Sequence, residues 1–156
     1  MKATADRDYA EPNDRQRRRL SSLVGRLSED ELRTPMYGDW TVAGVLGHMA
    51  FWDARNLVLA RKLQRGGASS PSDEEPEDVT WLNDAMRPLI DAIAPLEAAR
   101  LALRVAEETD GIMARLDPTR LWPKDPTSHV NPLRASHRAE HLDEIEAALG
   151  GGQSSD

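Results

Sequence analysis

Apolar residues along this chain recur at three- and four-residue intervals, and stretches that alternate apolar with polar residues are nearly absent. The first period is that of one face of an α-helix, whereas a half-buried strand needs a period of two. An all-α domain is therefore predicted. Leu20, Leu23, Val24 and Leu27 form the stripe of a first helix that starts after Asn13. Ser28 and Glu31 have capping-box spacing, which predicts a further short turn before Pro35. Thr41 is suited to cap a long helix reaching about Leu63, with Val45, His48, Met49, Trp52, Asn56, Leu59 and Leu63 on its inward face. A third helical stretch begins near Thr80 and carries Trp81, Leu82, Met86, Leu89 and Ile93. Pro88 and Pro95 fall within it, so a kink or break is expected near Ala94. Pro95 then opens a second part running to about Leu116 on Leu96, Leu103, Ala106, Ile112 and Met113. Asn131 is expected to cap the last helix, with Pro132 at its first position and glycines 150–152 ending it. Four principal helices with these connections make a four-helix bundle.

Residues 64–77 are rich in glycine, serine, proline and acid, and read as an unstructured surface loop. Residues 1–12 and 150–156 read as flexible tails, leaving 13–149 as a single domain. Acidic residues outnumber basic ones 27 to 20, for a net charge of −7, which argues against nucleic acid as a partner. Arg15, Arg17, Arg18 and Arg19 read as a solvated helix face rather than an anion patch. No apolar run approaches the roughly 20 residues that span a bilayer, and the N-terminus has no apolar signal region. A cytoplasmic, soluble domain with no membrane partner is expected. The absence of cysteine excludes disulfides, a thiol nucleophile and cysteine-ligated zinc, so any metal ligands must be histidines or carboxylates.

Three of the four histidines fall on apolar helix faces. His137 and His141 are four residues apart and stack on one side of the last helix, in a stripe with Leu133, Ile145 and Ala148 that is expected to face the core. His48 lies on the inward stripe of the second long helix. Three imidazoles buried together need partners, and a divalent cation bound through one nitrogen of each would supply one. The competing possibility is three hydrogen-bonded core histidines. Asp53 and Glu144 are candidates to fix an imidazole tautomer, or are ordinary surface acids. Trp52 and Asn56 are placed to line a pocket beside His48, with core packing as the simpler role for Trp52. His129, in a proline-bounded loop, reads more simply as a surface histidine than as a fourth ligand or proton shuttle. His137 to His141 also spells the H-x-x-E-H of inverted zincins, but only fifteen residues follow, too few for that protease domain. Neither a serine nucleophile elbow nor a phosphate loop is present, and no catalytic residue is assigned.

Trp40-Thr41 at a helix start, His48 seven residues after the threonine, and the later His137-x-x-x-His141 together resemble the DinB/YfiT-like superfamily over most of residues 15–149. The resemblance implies a four-helix bundle of up-down-down-up topology and a divalent metal, commonly zinc or nickel, on His48, His137 and His141. It also implies an enzyme acting on a small-molecule substrate. Some members of the family are transferases using bacillithiol, mycothiol or glutathione, and others are hydrolases. A low-molecular-weight thiol cosubstrate is accordingly a candidate, since this chain has no thiol of its own. The alternative is a non-catalytic, metal-stabilised bundle that binds a small molecule or a partner, with a homodimer as a candidate assembly.

Overall fold

Six helices carry residues 7–150, the part of the chain described by this computed structural model: α1 (Ala10–Arg26), α2 (Glu29–Leu32), α3 (Val42–Gln64), α4 (Thr80–Asp91), α5 (Pro95–Met113) and α6 (Ala135–Gly150). No strand occurs among the described residues; an isolated antiparallel bridge joins Pro35 to Thr41. The local signals act as the spacing predicts. Ser28 Oγ accepts from the Glu31 amide while the Glu31 carboxylate accepts from the Ser28 amide, closing the capping box of α2. Thr41 Oγ1 accepts from the Gly44 amide and starts α3. The chain breaks after Asp91, and Pro95 opens α5.

Two helix starts differ from expectation. α1 begins at Ala10, not after Asn13, so residues 10–12 belong to the helix rather than to an N-terminal tail. Pro12 is tolerated because it lies in the first turn, where backbone amides have no intrahelical acceptor. Tyr9 before it is buried, its hydroxyl donating to the Met113 carbonyl at 3.3 Å. At the other end, α6 starts at Ala135 rather than at Pro132. Its cap comes from a different helix: Asn13 Oδ1 accepts from the amides of both Arg134 and Ala135, at 2.8 and 2.9 Å. Asn131 only turns the chain, accepting from the Leu133 amide. Leu133, expected to face the core, is 42% exposed as a result. Residues 1–6 and 151–156, half of the expected N-terminal tail and all but one residue of the C-terminal one, lie outside the described residues.

The segment after α3 is tied down rather than unstructured. Lys62 Nζ pairs with Asp73, and Arg55 donates to the Asp73 carbonyl at 2.6 Å. On α4 the inward positions belong to Met86 and Ile90, whereas Trp81 and Leu89 face outward. Gly47 lets α4 come close: a Cβ there would stand 2.7 Å from Ile90 Cγ2.

α3 packs most extensively along α5, and α1 packs on both α5 and α6. The apolar interior is divided. One cluster gathers Leu20, Leu23, Leu46, Met49, Ala102, Ala106, Leu142 and Ile145. Besides a small cluster of Trp52, Met86 and Ile90, a second large one gathers Tyr9, Leu57, Leu63, Ile112, Met113 and Leu121. Between them along α3 and α5 lie buried Asp53 and Asp110, and Arg138 of α6, fully buried, reaches both. No helix among the described residues is long and apolar enough to cross a membrane.

Candidate metal centre

His48 sits in the second turn of α3, and the structure at the start of that helix builds the surroundings of its ring. Gly38 and Asp39 both adopt positive φ, at 57° and 62°, a conformation open to glycine and least disfavoured for short polar residues such as aspartate. The turn presents the carbonyls of both residues to the Arg87 guanidinium, which also lies 4.3 Å over the Trp40 ring. Trp40 thereby stands edge-on to His48, with 5.8 Å between ring centroids, and Trp52 stands 6.4 Å away on the other side.

α6 brings His137 and His141 against this position. The three imidazole centroids are 5.4, 4.8 and 4.6 Å apart, and one nitrogen from each ring lies within 4.8 Å of the others, a grouping able to hold a metal ion. His137 Nε2 and His141 Nε2 are 3.2 Å apart. Two nitrogens on one tetrahedral zinc, each about 2.0–2.1 Å from it, are separated by about 3.3 Å. The Nδ1 atoms of His48 and His137 are buried and have no hydrogen-bond partner among the described residues.

The protonation of the cluster suits a cation. Burial pushes the His48 imidazolium down to about 4, and the neighbouring His141 adds to the effect. His137 is pushed down to about 3 by burial first, then by His141, Arg134, His48 and Arg138. Both rings are thus neutral at neutral pH, the form that a metal ion binds. Glu144, one turn beyond His141, accepts from His141 Nδ1–H at 2.7 Å and from the Tyr37 hydroxyl at 2.9 Å. That proton leaves the His141 Nε2 lone pair facing the cluster. Burial and the Glu144 carboxylate push the Tyr37 phenol up to about 12, so it remains a donor.

Beside the imidazoles is an open cavity of about 240 Å³ lined by Tyr37, Trp40, Val45, His48, Thr80, Asn83, Asp84 and His141. Trp52 Nε1 donates to Asn83 Oδ1 at 3.1 Å and so ties α4 to α3 at its edge. Tyr37, Asn83 and Asp84 were not legible as site residues, because they lie on a turn and on α4, and no short-range spacing links them to a histidine.

The remaining candidates fall elsewhere. Asp53 touches no imidazole; its carboxylate accepts from Arg134 Nε at 2.8 Å and from Arg138 Nε at 2.9 Å. Arg138 also donates through both terminal nitrogens to Asp110, at 2.9 Å each, and Arg17 adds a bond to the same carboxylate at 2.8 Å. This arginine lies between the two histidines in sequence and anchors α6 to α3 and α5. Its signal was its place on the apolar stripe with Leu142 and Ile145. Asn56 and His129, neither of them in the wall of the cavity beside the imidazoles, share a second cavity with Arg55 and Arg134. Glu140 is exposed on the helix flank.

A family model, the DinB superfamily, matches residues 13–146. No curated protein and no solved structure matches the chain.

Proposed function

Since the chain belongs to the DinB superfamily, we propose that it is a divalent-metal-dependent enzyme, a single up-down-down-up bundle that holds zinc or nickel on His48, His137 and His141. The observation that supports this best is the convergence of three imidazoles, each bringing one nitrogen within 4.8 Å of the others, with two of the rings held neutral by burial. The reaction we assign is transfer onto a small molecule of a nucleophile brought from outside, either the thiol of a low-molecular-weight cosubstrate or water. A divalent cation in the site supplies Lewis acidity, lowering the pKa of the thiol or water and polarising the substrate.

The protein's own groups have separate tasks. Glu144 keeps the proton of His141 on Nδ1, and the Tyr37 hydroxyl, held protonated, steadies that carboxylate. Trp40 and Trp52 pack edge-on against the His48 ring. Asp84, exposed on the cavity wall, is the carboxylate available to take a proton released there, a base that no sequence spacing disclosed.

Elemental analysis of untagged protein beside H48A and H137A tests the site, with one zinc or nickel per chain expected in the parent and none in either variant. Metal-replete protein is then assayed with electrophilic and ester substrates, with and without added thiols. Turnover that needs both metal and thiol identifies a transferase, and turnover that needs metal alone identifies a hydrolase. Stoichiometric metal without turnover in either arm would favour the non-catalytic bundle, and absence of metal under replete conditions would overturn the proposal.

A further inference from the structure

The cavity that gathers Asn56 and His129 is lined by Arg55, Asn56, Glu75, Trp122, Ser128, His129, Asn131 and Arg134, and encloses about 210 Å³. None of these residues lines the cavity beside the imidazoles. Asn56 is two helical turns from His48, about 12 Å along α3.

Three of its polar side chains are more than nine-tenths buried: Asn56 at 3% exposure, Ser128 at 5% and Arg134 at 8%. Arg134 uses only Nε on the protein, donating to Asp53 Oδ1, which leaves the two terminal nitrogens of its guanidinium without a hydrogen bond among the described residues. Asn56 donates through Nδ2 to the Trp52 carbonyl, and its Oδ1 is buried with no partner. An unmade bond at a buried acceptor is costly, and native structures seldom leave one without a reason. Glu75 is half-exposed and only loosely paired with Arg55, at 3.7 Å.

The wall thus offers a free planar donor fork for a carboxylate, with a loosely held carboxylate as acceptor for a cation. A dianion would meet Glu75 at the rim and Asp53 behind Arg134, so the charge pattern favours a zwitterion over phosphate. At roughly 30 Å³ per water, the space corresponds to about seven waters, more than enough room for a small amino carboxylate.

We propose that this cavity is a second binding site, for a small amino carboxylate whose carboxylate is held by Arg134 and whose ammonium is held by Glu75.

The test is titration of the full-length, metal-replete protein with glycine, acetate, methylammonium and inorganic phosphate. It is followed by calorimetry and by the NMR signals of the Asn56 side-chain amide and the Arg134 Nε–H. Glycine is expected to bind about tenfold more tightly than acetate or methylammonium and to shift both signals. E75Q, at an exposed position that the fold does not need, should weaken glycine about tenfold and leave acetate unchanged. H137A should leave glycine binding intact, which separates this site from the metal centre. Glycine binding no tighter than acetate, preferential binding of phosphate, insensitivity to E75Q, or loss of binding in H137A would each overturn the proposal.

Discussion

Replacing Arg138 by methionine keeps most of the side-chain volume and removes the charge at the centre of the fold. Arg138 is 0% exposed and makes three hydrogen bonds, one to Asp53 and two to Asp110. Breaking a buried pair by removing one partner costs about 3–5 kcal/mol, because the other charge stays buried. Here neither carboxylate is fully abandoned: Asp53 keeps Arg134 and Asp110 keeps Arg17, each at 2.8 Å. The loss should therefore fall at the lower end, about 3 kcal/mol. With a urea dependence of about 2 kcal/mol per molar, that is a drop of roughly 1.5 M in the unfolding midpoint at unchanged slope. R138K, which keeps the charge but not the two-pronged geometry, should fall between. R100M is the control, since Arg100 pairs with Glu97 at the surface and its loss should cost no more than about 1 kcal/mol. An R138M midpoint indistinguishable from that of R100M would refute the idea that this layer holds α6 in place. So would a zinc affinity unchanged from the parent, because the same arginine sets the face that carries His137 and His141.

Three further outcomes are expected. In chelator-treated protein, His48 and His137 titrate at about 4 and 3, below the ordinary 6.5, so below pH 6.5 the unfolded chain binds more protons than the native one. Stability should be full above pH 6.5 and fall progressively toward pH 3; denaturation midpoints at pH 7.5, 6 and 5 that do not decrease would contradict this, and the H48Q/H137Q double variant should show a flatter profile. E144Q removes the charge accepting from His141 Nδ1–H, and should weaken zinc about 10–100-fold in a chelator competition; equal affinity would show that Glu144 does not tune the ring. G47A should destabilise by about 1–2 kcal/mol despite the better helix propensity of alanine, because the new methyl would lie 2.7 Å from Ile90 Cγ2 on a stiff β-branched side chain. Adding I90A should restore part of that loss in thermal unfolding, and no recovery would place the strain elsewhere.

Signals confined to a few consecutive residues were legible. The Ser28–Glu31 box, the Thr41 cap, the break before Pro95 and the inward positions of His48, His137 and His141 all lie within one helical turn or one stripe. What escaped was set by partners far along the chain. The start of α6 is decided by Asn13, more than a hundred residues earlier, not by Asn131 next to it. Asp53 reads as a possible imidazole partner until Arg134 and Arg138 are seen to occupy it. Arg138 beside a histidine looks like a surface cation, and only its register with Leu142 and Ile145 hints at burial. Asn56 belongs to another cavity because the segment holding His129 folds over that turn of α3.

The histidine cluster has a consequence for chain entropy. His48 and His137 stand 89 positions apart, so a cation shared between them is a cross-link that closes most of the chain into one loop. In a protein with no cysteine, it takes the place a disulfide would have: tying ends that far apart restricts the unfolded chain by about 4–5 kcal/mol on a loop-entropy estimate. Unlike a disulfide, such a tie would open to a chelator and close again with metal, so that the stability of the whole bundle would follow the free concentration of the ion.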